Sequence, residues 1–322
     1  AYNVAIGFEA GKLVSTGIYN TLIGGLAGTA LTTGSGNTIL GNQAGDALTT
    51  GNNNVAIGYL ALSTEDEHGG NIAMGAGALQ VQNAGAHAYN VAVGHNAGTT
   101  VSTGVQNTLI GGRAGDALTT GSYNIAIGMD ALTIEDTGSR SVAIGTNALF
   151  NQNYDGAAYN VAIGMSAGSQ ITTGVQNVIV GGLAGDALTT GGGNVAMGYQ
   201  ALTTANTDES QNVAIGNYAL NAMDNGSTTN THNTALGYYS GVAVTTGIQN
   251  TLLGALAGDA ITTGGNNMVI GYNAAASAVD VSNEITLGDA NISAFRCADQ
   301  SIAALSDGRD KSEVEESPYG LE

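Results

Sequence analysis

Proline, tryptophan and positive charge are almost missing from this chain. One proline occurs among 322 residues, tryptophan is absent, and six lysine or arginine residues face 25 aspartate or glutamate residues, giving a net charge of −19. This balance excludes duplex nucleic acid and anionic membrane surfaces as partners, because binding them requires clusters of basic residues. No apolar run approaches the roughly 20 residues that cross a bilayer, so we expect no membrane insertion.

Cysteine is also scarce, since Cys297 is the only one and no intrachain disulfide can form. The lack of proline excludes a collagen helix. Yet 51 residues are glycine and 43% are apolar, many of them β-branched, which argues against simple disorder. The chain begins inside a repeat with no leader segment, so we expect a fragment or a mature form.

What the sequence does contain is a repeat: an asparagine, three apolar residues and a glycine recur along nearly the whole chain. Most steps are 17 residues long, and the exceptions are 19, 19, 18, 21 and a final 16. Periodicity on this scale indicates a solenoid. The units align on Asn3, Asn20, Asn37, Asn54, Asn71, Asn90, Asn107, Asn124, Ser141, Asn160, Asn177, Asn194, Asn212, Asn233, Asn250, Asn267 and Asn283.

Each unit predicts one rung of a parallel β-roll. Val4-Ala5-Ile6 is short, β-branched and bounded by turn residues, which is typical of a strand. The arm that includes Ala47-Leu48-Thr49-Thr50 predicts a second short strand, and the many glycines exclude helices. We therefore predict an all-β fold, a parallel β-solenoid whose rungs of about 17 residues stack about 4.8 Å apart.

Alternation within the strand predicts partners of the same kind. In "NVAIG" the valine and isoleucine point to one face, and the alanine and asparagine point to the other. Both faces are apolar or small in nearly every copy, and a strand apolar on both sides is covered on both sides. Because one roll can cover only one of them, we expect an elongated parallel homotrimer.

The repeated polar positions have structural interpretations. Stacked asparagines form amide ladders and fix turns, and the glycines suit positive φ or close packing. The glycine clusters lack the Lys-Ser/Thr of a phosphate-binding loop, so we expect no cofactor. Threonine pairs recur, as at Thr32-Thr33 and Thr119-Thr120, and could order water as an ice-binding surface does, although the rank is interrupted in several units.

Acidic residues and irregular arms are the remaining candidates for chemistry. Asp46, Asp116, Asp186 and Asp259 share one slot about four rungs apart, too far to share an ion. The segment "STEDEHGG" at 63–70 carries His68 and could bind calcium or zinc, but a solvated turn is the better interpretation, so we predict no metal site. The long arms at 147–160 and 217–233 concentrate asparagine, tyrosine, aspartate and threonine, which suit contacts to sugars.

The carboxy-terminal stretch loses the repeat and brings a resemblance. Its matching residues are Thr286-Leu287-Gly288, Ile292-Ser293, Arg296 and Leu305-Ser306-Asp307-x-Arg309-x-Lys311. The stretch resembles the junction at which bacteriophage tail fibres and endosialidase-type tail spikes meet an intramolecular chaperone. The resemblance implies trimerisation assisted by the chaperone, followed by self-cleavage between Ser306 and Asp307. Ser306 would then be the nucleophile and Lys311 its activator.

Three segments follow from this reading: residues 1–282 as a shaft of about sixteen rungs, residues 283–305 as a degraded rung and junction, and residues 306–322 as the start of a truncated chaperone-like segment. The "NVAIG" repeats are also similar to the heads of trimeric autotransporter adhesins, which are β-rolls joined in threes.

We therefore expect a structural fibre of a bacteriophage tail, located in the virion and contacting a polysaccharide or protein receptor on the host surface. The alternatives are a trimeric adhesin on a bacterial surface, an ice-binding solenoid, and a glycan-degrading tail spike. No enzymatic residue stands out in the rungs: no acid is placed differently from its neighbours, as the carboxylate pair of a glycosidase would be.

Overall fold

The structure is a computed structural model that describes residues 2–205, 209–224, 226, 230–294 and 296. Contacts divide the chain into two units, residues 1–290 and 291–322. The first unit is a parallel β-solenoid of about 16 turns, as predicted. Of the second unit, only residues 291–294 and 296 are described.

Each turn contributes one strand of three residues, and each strand pairs in parallel and in register with the strand of the next turn. At about 4.8 Å per step, the sixteen steps between the seventeen strands give this unit a stack of roughly 77 Å. The strands are β1 Val4–Ile6, β2 Thr21–Ile23, β3 Thr38–Leu40, β4 Val55–Ile57, β5 Ile72–Met74, β6 Val91–Val93, β7 Thr108–Ile110, β8 Ile125–Ile127, β9 Val142–Ile144, β10 Val161–Ile163, β11 Val178–Val180, β12 Val195–Met197, β13 Val213–Ile215, β14 Thr234–Leu236, β15 Thr251–Leu253, β16 Met268–Ile270 and β17 Ile285–Leu287.

The predicted second strand does not form. In that arm successive backbone amides converge on one carbonyl of the next rung: the N–H groups of Thr49 and Thr50 both donate to Asp66 O, at 2.6 and 3.2 Å. A strand points successive amides to opposite sides, so this arrangement cannot continue as a ladder. The arm is still tied to the next rung, but as a bend rather than a strand.

The last rung also differs from the sequence alignment. Glu284, and not Asn283, occupies the position of the ladder asparagines, because its N–H donates to Asn267 Oδ1 at 3.0 Å. The final step is therefore 17 residues, as in most of the array. Asn283 instead has the positive φ of 64° that the residue preceding the ladder position adopts elsewhere.

The asparagine ladder is confirmed and joins the rungs through both ends of each amide. Asn107 shows the pattern: its N–H donates to Asn90 Oδ1 at 2.8 Å, and its own Oδ1 accepts the N–H of Asn124 at 2.9 Å. Its Nδ2 donates to the carbonyl of Gly121 at 2.9 Å. Since these asparagines are buried, the ladder satisfies backbone groups that water cannot reach.

The glycine that ends each strand is required by close stacking. Gly58 has φ +132°, and a Cβ built there would lie 2.5 Å from the carbonyl oxygen of Gly75 in the next rung. Gly128 repeats this geometry against Gly145, with φ +137°. Any side chain at this column would force neighbouring rungs apart.

The core is filled by complementary volumes, which explains why the rungs come in two types. Where the strand centre is large, as at Leu22, a glycine follows later in the rung, and a Cβ on Gly28 would lie 3.0 Å from Leu22 Cδ2. Where the centre is Ala56, the equivalent position is Leu62, and both are fully buried. One large side chain at either position fills the same space. We call the two types Ala-Gly rungs, as at Ala27-Gly28, and Ala-Leu rungs, as at Ala61-Leu62.

Candidate functional site

The outer strand face, defined as the first and third residues of β1–β17, is an uncovered surface without charge that runs along the described solenoid. The central strand residue is buried from β2 to β16, whereas the flanking residues are half-buried or exposed. Ile163, Met197 and Leu253 keep about two fifths of their surface accessible. Not one of the seventeen strands, all of which are described, contains a charged residue.

A second apolar column extends this face. In seven of the seventeen rungs the residue after the strand-ending glycine is large, apolar and exposed, as at Tyr59, Met129 and Met165, whereas other rungs have small or polar residues there, such as Asn42 and His95. Single exposed apolar side chains are ordinary on protein surfaces, but a contiguous strip of them marks an interaction surface. The sequence predicted that one strand face would be covered within the chain and the other left open, and the structure of the single chain confirms this.

Four tyrosines form a surface cluster beside the long arm at 217–233. The ring centroids lie 5.6 Å apart for Tyr199 and Tyr218, 4.8 Å for Tyr218 and Tyr239, and 4.4 Å for Tyr239 and Tyr238. The cluster crosses three successive rungs, and Tyr199 and Tyr238 are exposed. Residues 225 and 227–229 of the arm lie outside the described part, so the predicted sugar contacts of this arm stay a prediction.

Half of each threonine pair is consumed within the solenoid. Thr32 Oγ1 donates to Thr49 O at 3.1 Å, and Thr119 Oγ1 donates to Asp136 O at 3.0 Å. The second members, such as Thr33 and Thr120, are exposed. In the pair Thr49-Thr50 the second hydroxyl is bonded as well, because Thr50 Oγ1 donates to Glu67 O at 3.4 Å. An ice-binding surface would therefore have at most one free hydroxyl per rung from these pairs, and the Ala-Leu rungs interrupt the column.

The aspartates of the shared slot are partly buried. One carboxylate oxygen of Asp46, Asp116 and Asp186 is enclosed and has no hydrogen-bond partner. Burial accordingly raises the pKa of all three carboxyl groups above the usual value. These aspartates do not join any cluster of three metal-binding side chains among the described residues.

A buried glutamate in the acidic segment is the feature that sequence reasoning missed. The solvated turn predicted at 63–70 is wrong for Glu65, whose side chain is completely inaccessible. Glu65 lies eleven residues after Asn54, and the residues equivalent to it in the Ala-Gly rungs are core side chains such as Leu31 and Leu48. Counting positions from the ladder asparagine would have revealed it.

Glu65 is poorly satisfied in this core position. One oxygen, Oε1, accepts the backbone N–H of His68 at 3.0 Å, while Oε2 is enclosed without a hydrogen-bond partner. His68 Nδ1 lies 3.4 Å from Oε1 and is likewise enclosed without a hydrogen-bond partner. Desolvation is the largest effect on Glu65 and raises its pKa, against the opposing effects of His68.

The same slot recurs 70 residues later, where Glu135 is buried but well satisfied. Its carboxylate accepts the N–H of Gly138 at 2.7 Å, Nε2 of Gln152 at 2.9 Å and the N–H of Tyr154 at 3.4 Å. Gln152 also donates to Ser141 Oγ at 2.9 Å. Burial still raises the pKa of Glu135, although these hydrogen bonds oppose the rise.

The acidic segment also gathers neighbouring side chains. Glu65, Asp66 and His68 offer ligand atoms that all lie within 4.8 Å of one another. His87, which the sequence placed at no metal-binding spacing, lies with its ring 6.4 Å from that of His68, and its Nδ1 accepts the N–H of Gly69 at 3.0 Å.

The residues predicted for self-cleavage, Ser306 and Lys311, lie outside the described residues. Their roles stay a prediction from the resemblance, as do the chaperone-like segment and the cut at Asp307. No helix in the described part of the chain is long and apolar enough to traverse a bilayer.

Searches of protein-family models, curated proteins and solved structures with this chain found no match.

Proposed function

We propose that this chain is the shaft of a bacteriophage tail fibre, a parallel homotrimer that holds a recognition surface away from the virion and contacts the host cell. The partners proposed are two further copies of the chain and a polysaccharide or protein receptor on the host surface. The resemblance of the carboxy-terminal residues to the fibre–chaperone junction supports this assignment.

The observation that carries the proposal is the outer strand face. It is free of charge along all seventeen strands and remains accessible in the single chain. A parallel sheet is normally covered on both sides, and apolar burial is worth about 25 cal/mol for each Å² removed from water. Three copies aligned in parallel would enclose this face along a common axis.

The shaft role is supported by the way in which the rungs are joined. Three-residue strands, the asparagine ladder and the bonds of the second arm link each rung to the next. In such a stack each rung contacts only its neighbours, so rigidity requires that every junction be well bonded. The described rungs meet that requirement from Asn3 to Glu284 with only one interruption of the ladder, at Ser141.

Light scattering of the purified chain tests the assembly. We expect a native mass of three times the chain mass of 31.8 kDa. Replacing Ile144 and Ile163, on adjacent strands of the outer face, by aspartate places two charges inside the proposed interface and should yield monomers. The matched control replaces Thr120 and Thr190, which are exposed on the second arm, by aspartate as well and should leave the mass unchanged. A monomeric native chain would contradict the proposal.

The similarity of the repeats to trimeric adhesin heads favours a second candidate, a bacterial surface adhesin. Both candidates need the trimer, so binding has to separate them. A phage fibre should bind the surface of susceptible bacteria and lose binding when the bacterial polysaccharide or receptor protein is removed. An adhesin should bind host tissue or matrix components instead. Labelled trimer applied to both kinds of surface distinguishes the two functions.

A further inference from the structure

Glu65 occupies a core position without the hydrogen bonds that such a position requires. A buried carboxylate oxygen without a partner is costly, because removal from water is not compensated. Three residues later in the chain there is a second orphan, the enclosed Nδ1 of His68, in addition to the orphaned Oε2 of Glu65. Two unsatisfied atoms of complementary ligand type at one place indicate a missing partner for both.

The reason for this arrangement lies in one substitution between equivalent rungs. A Cβ on Gly138 would lie 2.4 Å from the carboxylate carbon of Glu135, so that carboxylate occupies space that only glycine leaves free. His68 stands in the equivalent place, since Asn54 Nδ2 donates to His68 O as Asn124 Nδ2 donates to Gly138 O. The carboxylate of Glu65 therefore cannot adopt the satisfied position of Glu135.

The side chain that displaces the carboxylate also supplies a nitrogen ligand. His68 Nδ1 faces Glu65 Oε1 at 3.4 Å, and Asp66 places a carboxylate oxygen within 4.8 Å of both ligand groups. A tetrahedral zinc ion at about 2.0–2.2 Å from each ligand needs ligand atoms about 3.4 Å apart. Glu65 Oε1 and His68 Nδ1 already have this spacing, and the Asp66 carboxylate has to move by up to about 1.6 Å to reach it.

We propose that Glu65, Asp66 and His68 bind one divalent transition-metal ion, with Zn²⁺ as the representative. The ion would accept a lone pair from the orphaned Nδ1 of His68 and one from the Glu65 carboxylate, whose Oε1 faces that nitrogen, and would offset the charge of the buried carboxylate. Calcium and magnesium fit less well, because both take oxygen ligands almost exclusively and calcium needs six to eight of them. Imidazole with carboxylate favours zinc and its neighbours in the first transition row.

The surroundings suit a structural ion. The backbone of Asp66 is held in place, since its carbonyl accepts both the N–H and the Oγ1 of Thr49, at 2.6 and 2.7 Å. Because His87 Nδ1 accepts the N–H of Gly69, the neutral His87 ring carries its proton on Nε2 and is not a ligand. It borders the site beside His68. This assignment is independent of the proposed fibre function.

The competing explanation is a simple ion pair between Glu65 and a protonated His68. It would satisfy charge but not hydrogen bonding, because the pair lacks the geometry of a hydrogen bond and Oε2 stays orphaned. The two explanations differ in one measurable respect, the uptake of metal.

Zinc binding to the full, tag-free chain after treatment with chelator provides the test. We expect one Zn²⁺ per chain by calorimetry and by competition with a chromophoric chelator. The fine structure of the X-ray absorption spectrum at the zinc edge should show scattering from an imidazole ligand. His68→Gly, which gives this rung the glycine that the equivalent rung has at Gly138, and Asp66→Asn should each weaken binding by about tenfold or more. Glu135→Gln is the matched control, because the rung of Glu135 and Asp136 has glycine in place of the histidine. The zinc affinity of this variant should equal that of the parent chain.

Two results would overturn the proposal. The first is a parent chain that binds zinc no better than His68→Gly, which would leave the ion pair as the explanation. The second is equal loss in Glu135→Gln, which would place any bound zinc elsewhere on the acidic surface. Should His68→Gly fail to fold, Asp66→Asn decides alone, because it changes one carboxylate to an amide of the same shape.

Discussion

The acidic rung that begins at Asn54 and the rung that begins at Asn124 bury a glutamate in the same core slot, but only the second surrounds it with donors. Glu135 has Gly138, Gln152 and Tyr154, whereas Glu65 has one backbone N–H. A buried acid is thus tolerated in this solenoid where a glycine and a neighbouring amide make room for it and bond to it.

The rungs that follow show how far such a difference spreads. We call the rung that begins at Asn54 and the rung after it the first block, and the rung that begins at Asn124 and the rung after it the second block. In the second block Gln152 Nε2 donates to both Glu135 and Ser141, and Gln152 Oε1 accepts a hydrogen bond from Nδ2 of Asn160 at 2.9 Å. In the first block Gln82 Oε1 likewise accepts Nδ2 of Asn90, at 2.7 Å, but its Nε2 donates to the carbonyl of Ser102 and not to Glu65. Asn71 Nδ2, a donor that Gln82 Nε2 could not satisfy, is also enclosed without a hydrogen-bond partner, as Glu65 Oε2 is. The network is complete in one copy and open in the other.

The largest expected effect tests what the two blocks share. Gly58→Ala and Gly128→Ala both place a Cβ about 2.5 Å from the backbone of the next rung at a φ only glycine adopts readily. We expect each to cost about 4 kcal/mol of local stability, since neither the strand nor its neighbour can move without breaking the ladder. Hydrogen exchange of peptides from each block measures this cost.

Equal losses in the two blocks would show that the stacking scaffold is the same and that the acidic slots alone differ. A loss confined to one block would contradict this. Gly112→Ala is the control, because the space around that glycine is open and no positive φ is involved.

The next effect should differ between the blocks. Glu135→Leu places in the slot the residue found in the Ala-Gly rungs, but it leaves the N–H of Gly138 and one of the two N–H groups of the Gln152 amide without an acceptor. At about 1–3 kcal/mol for each buried orphan, we expect a loss of about 3 kcal/mol. Glu65→Leu removes an orphaned, desolvated oxygen and leaves only the N–H of His68 without an acceptor, so the net change in stability should be close to zero.

Hydrogen exchange with chelator present, so that metal does not contribute, reads out both variants. A difference of less than about 1 kcal/mol between them would mean that the hydrogen bonds of Glu135 carry little weight. Leu118→Glu places a glutamate in the same slot of an Ala-Gly rung, where a leucine is fully buried, and should be the most damaging of the three variants.

Much of this architecture could be predicted from the sequence because it follows from spacing. The period places Asn107 above Asn90 and Gly128 below Gly145 whatever the rung contains, and the strand register follows. The second strand was predicted wrongly because Leu48-Thr49-Thr50 has strand composition, while its amides converge on a single carbonyl, a property of the fold rather than of propensity.

The candidate metal cluster was set aside in favour of a solvated turn for a different reason. "STEDEHGG" has the composition of a solvated turn, and only its alignment with the leucine slot shows that Glu65 points inward. Whether that carboxylate is satisfied depends on Gly138 or His68 at one position, and on the side chain of Gln82 or Gln152 in the following rung. Such dependence on contacts between rungs is visible only in three dimensions.

A smaller difference is expected where the two ladders differ. Asn71 and Ser141 occupy the same place, and Asn71 contributes only its Oδ1, which accepts the N–H of Asn90 at 3.1 Å. Asn71→Ser should therefore cost about 1 kcal/mol or less, and Asn124→Ser about 2 kcal/mol, because Asn124 bonds with both ends of its amide. Equal losses in the local exchange rates of the two variants would contradict this and would mean that Asn71 Nδ2 has a partner of comparable strength.

The smallest contrast between the blocks is expected from pH, because burial raises the pKa of the carboxyl in both. For Glu135 the folded pKa lies above the unfolded value of about 4.5, so the protonated form is favoured by folding. The stability that this group contributes is therefore fully present below about pH 4.5 and is lost as the pH rises through the raised pKa. Asp46, Asp116 and Asp186 act in the same direction.

We expect the unfolding temperature, measured with chelator, to rise on acidification from about pH 7 towards pH 4.5, and to rise less in Glu135→Gln, which cannot titrate at that position. If the unfolding temperature falls over this interval, or if Glu135→Gln matches the parent chain at every pH, the buried carboxyl of the second block does not control the acid response, and the hydrogen bonds from Gly138 and Gln152 have already compensated its burial.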